Sequence, residues 1–395
     1  MILTIYSLST SKQEALKEFI EENLNMGFIQ PTSSLHSVLV LFVKKKDSSL
    51  RLCVDFCDLN CISKKDHYPL SLISNLLDSP CKAQVYSKID LRHTYHLVCI
   101  ANGDKWKTAF RARYGSFEWS VIPFGLTNTP VAFQQFINNI FSNLLDVCVV
   151  IYLDDILIYL NNMSEHHQHV KEVLKHLRKA GLYAKAEKCE FHSKSVKYLG
   201  YILSPSGLTM SDDKVKIIQD WPELKKVKDI QSFLGFTNFY HQFIFNYSDI
   251  VIPLTYLTWK DIPWKFNSSC QNAFNSLKKA FTPILTYWIP NAQLIVETYT
   301  SDYTLAALLS IVNKDNEVHP VAFHSRTFTV AELNYDTHDK KLLAIFKAFK
   351  IWQHYLEGPV YPIDIIMDHK NLEYFSTTCQ AQFTPGWKSA EWTWR

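Results

Sequence analysis

Residues 147–160 read VCVVIYLDDILIYL, an apolar run with two adjacent carboxylates at its centre. Val147, Val149, Val150 and Ile151 lie before Asp154 and Asp155, and Ile156, Leu157 and Ile158 after them. Whatever buries this run must also deal with charge, because an unpaired carboxylate in an apolar interior is strongly unfavourable. Neighbours on a strand point to opposite faces, so an acid pair aimed at one place needs the turn of a hairpin. Two readings are open: Asp is a common turn residue, and the pair simply faces water, or cations sit beside it.

Working outward, a third acid, Asp90, ends an apolar stretch in SKIDLRHTY. Three carboxylates at strand ends in a cation-rich region are the parts of a two-metal site, where ions about 3.5–4 Å apart activate a hydroxyl and stabilise a leaving pyrophosphate. The cations are local. Residues 82–113 hold Lys82, Lys88, Arg92, Lys105, Lys107, Arg111 and Arg113 against Asp90 and Asp104, and residues 171–197 hold eight Lys or Arg against three Glu. Basic stretches interleaved with aromatics fit a channel that tracks a nucleic-acid backbone, and equally fit solvated helix faces.

The whole chain constrains less. Its 395 residues suffice for two to four domains, and 47% hydrophobic with 20% charged residues makes it globular. The net charge of +3 names no partner. Nine scattered cysteines point to reduced thiols and a cytoplasmic or nuclear protein, and MILTIYSLST lacks the charged start of a secretory signal, so the chain is expected not to be secreted. No apolar run reaches the roughly 18 residues of a membrane span, so no membrane partner is expected. Cys53, Cys57, Cys61 and His67 lack the paired spacing of a zinc site, and the histidines of SEHHQHV tempt a metal reading.

The element pattern begins with Ser11 and Glu14 as a capping box for a helix that Gly27 stops. SVLVLFVKKKDSSLRLCVDF predicts a hairpin tipped by Lys44, Lys45, Lys46 and Arg51. QVYSKIDLRHTYHLVCI is expected to be a strand broken near Asp90, and FEWSVIPFGLTNTPVAFQQFINNIF a strand, a loop and a helix. VKYLGYILSPSGL reads as a strand pair turning at Pro-Ser-Gly, and residues 212–250 as helices broken at Trp221-Pro222. Residues 253–290 look like a connecting segment. Beyond them come the strands LIVETY, LAALLSIV and HPVAFHSR, a Thr329/Glu332 cap, a helix striped by Leu342, Ile345, Phe349, Trp352 and Leu356, and the strand YPIDIIMD.

IYLDDILIY, SKIDLRHTYH, KTAFRARYGSFEW, PFGLTNTPVAFQ, LYAKAEKCEF and VKYLGYILSPSGL closely resemble, in order, the reverse transcriptases of gypsy-class LTR retrotransposons, and the likeness runs from about residue 12 to 378. The resemblance implies an α+β chain: a right-hand polymerase with fingers and palm (1–208) and thumb (209–252), then a connection (253–290) and a truncated RNase H-like α/β domain (291–395). It implies an RNA-directed DNA polymerase, a nucleotidyltransferase that uses two Mg²⁺ ions, with Mn²⁺ as a substitute. Template, primer and deoxynucleoside triphosphates would be its partners.

By that similarity Asp90, Asp154 and Asp155 are the catalytic, metal-holding acids, with the Leu91 carbonyl beside them. Lys45 and Arg51 match fingertip positions that clamp the triphosphate, Tyr95 the steric gate under the sugar, Phe124 and Gln134 the nucleotide pocket and template side, and Leu199 and Gly200 the primer grip. Thumb lysines Lys225, Lys226 and Lys228 could reach phosphates. Phe124 and Gln134 also read as a core aromatic and a helix-surface amide.

Several positions depart from the family. LHSVL (35–39) replaces a Pro-Trp-Gly-Ala-Pro segment, Ser48 a turn glycine, Cys57 an arginine, and Thr94 a glycine beside Tyr95, where a β-branched side chain would crowd the triphosphate. In the nuclease half, VETYTSDY, NYDTHDKKLLAIFKAFKIWQHYLEG and MDHKNLEYF are similar to the family's RNase H, yet Tyr299 and Lys341 stand where two acids belong and only Asp368 remains. A cation in place of a metal ligand repels the metal, so ribonuclease H activity is expected to be absent. Against the polymerase stands a rival: a catalytically silent, element-derived nucleic-acid-binding relic. The tail QFTPGWKSAEWTWR resembles nothing in the family.

Overall fold

The computed structural model describes residues 9–44, 50–81, 83–92, 94–280, 284–313, 315–367 and 392–394. They form two compact units, Met1–Val196 and Lys197–Arg395.

In the first unit the helix Thr10–Asn25 starts two residues before the expected capping box. Ser9 already has the extended backbone of an N-cap, so Ser11 lies inside the helix and hydrogen-bonds to Ser9 instead, Oγ to Oγ at 3.2 Å. The stop is as read: Gly27 takes φ +71°, and its N–H donates to the Leu24 carbonyl. Strands Val40–Lys44 and Leu50–Val54 pair antiparallel from Val40↔Val54 to Lys44↔Leu50, which is the expected hairpin; its tip, with Lys45, lies outside the described residues. Ile29–Pro31, Gly115–Trp119 and Phe110–Ala112 make a three-stranded sheet over a core of Leu16, Ile20, Phe56, Phe110 and Trp119.

The sheet that matters most runs in the order Glu190–Ser193, Val85–Arg92, Asp155–Leu160, Val149–Tyr152. Its second strand does not break at Asp90 but continues to Arg92, because Leu91 and Arg92 pair with Ala184 and Tyr183. Helices Thr129–Ile140 and Met163–Lys179 cover the sheet through Phe133, Ile137, Val170, Val173 and Leu177, packed on Ile89, Val149, Ile151, Ile156 and Ile158. The run that opened the sequence is therefore buried on both arms, and only its turn can present charge.

In the second unit, Tyr201–Ser204 and Gly207–Met210 form a hairpin turning at Pro205-Ser206. Helices Asp212–Gln219 and Val227–Phe239 are separated at Trp221-Pro222, as expected. A five-stranded sheet follows in the order Val318–Thr327, Thr304–Val312, Gln293–Thr300, Ile363–Ile366, Trp392–Trp394. Helix Thr337–Ile351 packs Ile345, Ala348 and Phe349 on it. Thr329 and Glu332 do form a capping box, and Glu332 also takes a two-pronged bond from Arg326 at 2.7 and 2.9 Å. The last strand belongs to the tail that resembles nothing, and it pairs in parallel, Ile363↔Trp392 to Ile365↔Trp394. No described helix is long and apolar enough to cross a membrane.

Candidate active site

Tyr152 pairs with Asp155, leaving Leu153-Asp154 as a two-residue hairpin loop. Leu153 takes φ +54° and Asp154 does not, the sign pattern of a type II′ turn, which suits the twist of the flanking strands. Asp90 is the cross-strand partner of Asp155, and the Leu91 N–H donates to the Asp154 carbonyl at 3.0 Å. Two chain segments more than sixty residues apart thus deliver three acids to one sheet end.

The side chains separate what the backbone gathers. Asp155 is held by Lys88, Nζ to Oδ1 2.9 Å, as an ion pair outside hydrogen-bond angles. Asp90 is held by Lys185 at 3.0 Å and Lys188 at 3.6 Å, and Lys185 also donates its backbone N–H to the Asp90 carbonyl at 2.9 Å. Asp154 is protonated more readily than an ordinary carboxylate: burial comes first, then the charges of Asp155 and Asp90, with its own backbone N–H and Lys185 opposing. Among the described residues no three His, Cys, Asp or Glu side chains are grouped to hold a metal ion. The donors themselves are hard carboxylate oxygens, the chemistry Mg²⁺ selects. A divalent ion would offset the burial and the like charges that raise Asp154, so the residues fit the group, with lysines as its competitors. Lys88, Lys185 and Lys188 entered the sequence reading as local charge; their pairing with particular acids was not foreseen.

Around this turn the other singled-out residues take varied positions. Gln134 is buried, 1% exposed, and its Oε1 accepts the Leu153 N–H at 2.8 Å, while its Nε2 reaches the Ile151 carbonyl at 3.2 Å. It grips the turn from within. Phe124 is half exposed, its ring 5.6 Å from that of His96. Leu91 is in the core. Tyr95 falls in the short helical turn Thr94–Leu97 and Arg51 in the strand Leu50–Val54; their side chains and that of Thr94 lie outside the description.

The histidine-rich helix start buries one of its histidines. His166 is fully buried, its Nε2 2.8 Å from Ser87 Oγ, which accepts the His192 N–H at 2.9 Å. Burial, then the neighbouring His192, His169 and His167, pushes His166 down to about 4.

In the second unit Leu199 and Gly200 form a turn with φ +50° and +90°. Tyr299 donates its hydroxyl to Glu297 Oε2 at 2.7 Å and stacks edge-on to Phe245 at 5.1 Å, and Lys341 is 8% exposed on its helix. Asp368 lies outside the described residues.

Two family profiles match the chain: "Reverse transcriptase (RNA-dependent DNA polymerase)" over residues 43–203 and "RNase H-like domain found in reverse transcriptase" over 266–365. The Tf2-3 and Tf2-7 transposon polyproteins of Schizosaccharomyces pombe are each 37% identical over 369 residues, 93% of this chain. The chain spans 28% of the length of these relatives. Among solved structures, a foamy viral protease-reverse transcriptase dRH in complex with double-stranded DNA superposes at TM-score 0.82, with 23% identity, over 96% of this chain and 66% of that one. The foamy viral protease-reverse transcriptase with double-stranded DNA gives 0.83 and 21%, over 100% and 84%. The fold is therefore a right-hand polymerase followed by an RNase H-like α/β domain. With the acid-bearing hairpin inside the first match and the strands Gln293–Thr300, Thr304–Val312 and Val318–Thr327 inside the second, residues 43–203 are a reverse transcriptase domain and residues 266–365 an RNase H-like domain of the kind found in reverse transcriptases.

Proposed function

We propose that the chain is the polymerase of a gypsy-class LTR retrotransposon and extends a primer on an RNA or DNA template by adding deoxynucleotides. The observation that carries the reading is the Leu153-Asp154 turn set against Asp90, where burial and two like charges leave Asp154 in need of a cation. Divalent magnesium bound there would lower the barrier to attack by a primer 3′-hydroxyl and stabilise the pyrophosphate that leaves. Asp90 and Asp154 would hold it, with the Leu91 carbonyl near. Asp155, bound to Lys88, fixes the charge balance of the turn. Lys185 and Lys188, released from Asp90, are free to meet phosphate oxygens.

Lys45, Arg51, Tyr95 and Phe124 serve the incoming nucleotide, Gln134 supports the turn between them, and Leu199 and Gly200 grip the primer end. The proposed borders of fingers and palm, thumb, connection and RNase H-like domain are those of the sequence reading, at 208, 252 and 290. The RNase H centre is degenerate: Tyr299 is bonded to Glu297 and meets Phe245 edge-on, and Lys341 brings a cation to the helix that should carry an acid.

Primer extension on an RNA template, comparing the parent with Asp154→Asn, tests the polymerase. Incorporation by the parent alone supports it; binding of template-primer without incorporation by either marks a silent relic. Cleavage of an RNA–DNA hybrid that disappears with Asp368→Asn would overturn the loss of nuclease.

A further inference from the structure

The chain contains a line of polar side chains that starts far from the acids and ends on their turn. Tyr68 lies in the segment between helices Cys57–Ile62 and Ile73–Asp78. Its hydroxyl accepts Asn138 Nδ2 at 2.9 Å, Asn138 Oδ1 accepts Gln134 Nε2 at 2.8 Å, and Gln134 Oε1 accepts the Leu153 N–H at 2.8 Å. The order of donors is fixed from the turn backwards. A backbone N–H can only donate, so Gln134 must offer it oxygen and point its amide nitrogen at Asn138, which must then offer oxygen in turn and donate to Tyr68. Reversing either amide would set donor against donor.

The far end is anchored as well. Asp66 N–H donates to Asn128 Oδ1 at 3.1 Å, and Asn128 Nδ2 donates to the Lys64 carbonyl at 2.9 Å. Asn60 clasps the same loop, donating to the Gly125 carbonyl and accepting the Thr127 N–H, both at 2.8 Å. The segment carrying Tyr68 is thus stapled to the loop that presents Phe124. At the near end, Leu153 holds a left-handed conformation that a branched L-residue disfavours, and it persists only because its surroundings over-determine it. The Gln134 carbonyl oxygen is the described side-chain acceptor for that N–H.

We infer that Tyr68 and Asn138 are positioning residues for nucleotidyl transfer: through Gln134 they hold Leu153 left-handed and so aim Asp154, tying the loop that carries Phe124 to the acid-bearing turn. This rests on the polymerase reading above, in which Asp154 is catalytic. Neither residue touches the reacting atoms. A displacement of the order of 1 Å at a catalytic group can lower a rate about 100-fold, so loss of the relay should lower kcat by about 10- to 100-fold while the KM for deoxynucleotide stays within about twofold.

The experiment uses Tyr68→Phe, Asn138→Ala and the double variant, each measured for steady-state primer extension, thermal midpoint and hydrogen exchange of peptides spanning 147–160. Expected are a fall in kcat with the midpoint unchanged, faster exchange in that peptide, and a double variant no worse than the worse single, since one broken link disables the line. Asn138→Asp, which keeps the acceptor for Gln134, should restore slow exchange relative to Asn138→Ala. Parental kcat and parental exchange in both single variants would overturn the relay while leaving the polymerase intact. If the parent itself extends no primer, the polymerase reading fails, and exchange in 147–160 still decides the relay: unchanged rates reject it and faster rates uphold the positioning.

Discussion

Asp90 and Asp155 face each other as cross-strand partners, yet each carboxylate is bound by a different lysine, Lys185 for the first and Lys88 for the second. The acid left without a lysine within ion-pair reach, among the described residues, is Asp154, on the turn that leads into Asp155. The three acids are therefore not equivalent.

Asp154→Asn should abolish primer extension, by more than about 1000-fold, since it removes the group that burial and two like charges leave in need of a cation. Asp155→Asn should leave measurable activity, about 10- to 100-fold down. Equal losses in the two variants, read as initial rates at saturating nucleotide, would contradict the division of roles.

Lys88→Met leaves Asp155 partly buried without its cation. The pair is 17% and 25% exposed, between the surface and buried regimes, so a loss of about 1–2 kcal/mol is expected. Chemical denaturation measures it, and Lys88→Arg should recover most of it.

His166 titrates at about 4 instead of 6.5, so it is neutral in the folded protein where the unfolded chain is already protonated. The unfolded state binds more protons between those values, and stability falls as pH drops from about 6.5 to about 4. His166→Gln keeps a polar partner for Ser87 but cannot titrate; it should flatten this slope by up to about 3 kcal/mol across the window, read as the midpoint difference between pH 7 and pH 4.5.

At Gly200, φ is +90° and an added Cβ would lie 2.9 Å from the Tyr240 hydroxyl. Gly200→Ala should destabilise by about 1–2 kcal/mol. Adding Tyr240→Phe should return the steric part only, leaving the backbone part, which a thermal-midpoint double-mutant cycle separates.

The hairpin and its acids were legible because apolar arms flanking an acid pair have few other ways to fold, and Gly27, Thr329 and Glu332 were legible because caps are local. The lysine partners were not, since Lys185 and Asp90 are 95 positions apart and spacing carries no trace of their meeting. Gln134 read equally as a surface amide; its burial follows from how its helix packs on Ile151, a tertiary fact. Ser11 and Glu14 have the right letters for a cap, but Ser9 supplied the extended backbone two residues earlier. The strand Trp392–Trp394 had no family pattern to announce it, only aromatic residues that suit an extended edge.

In strand Val85–Arg92 burial alternates from Ser87 onward: Ile89 and Leu91 go inward, while Lys88, Asp90 and Arg92 are less covered. Because that alternation has period two, inserting or deleting one residue upstream of Lys88 would send every later side chain to the wrong face. Isoleucine would meet water, and the aspartate and its neighbouring lysine would both enter the oil. Substitutions that keep the alternation can thus accumulate along this strand, whereas a single in-frame codon gained or lost would turn Asp90 off the face it occupies.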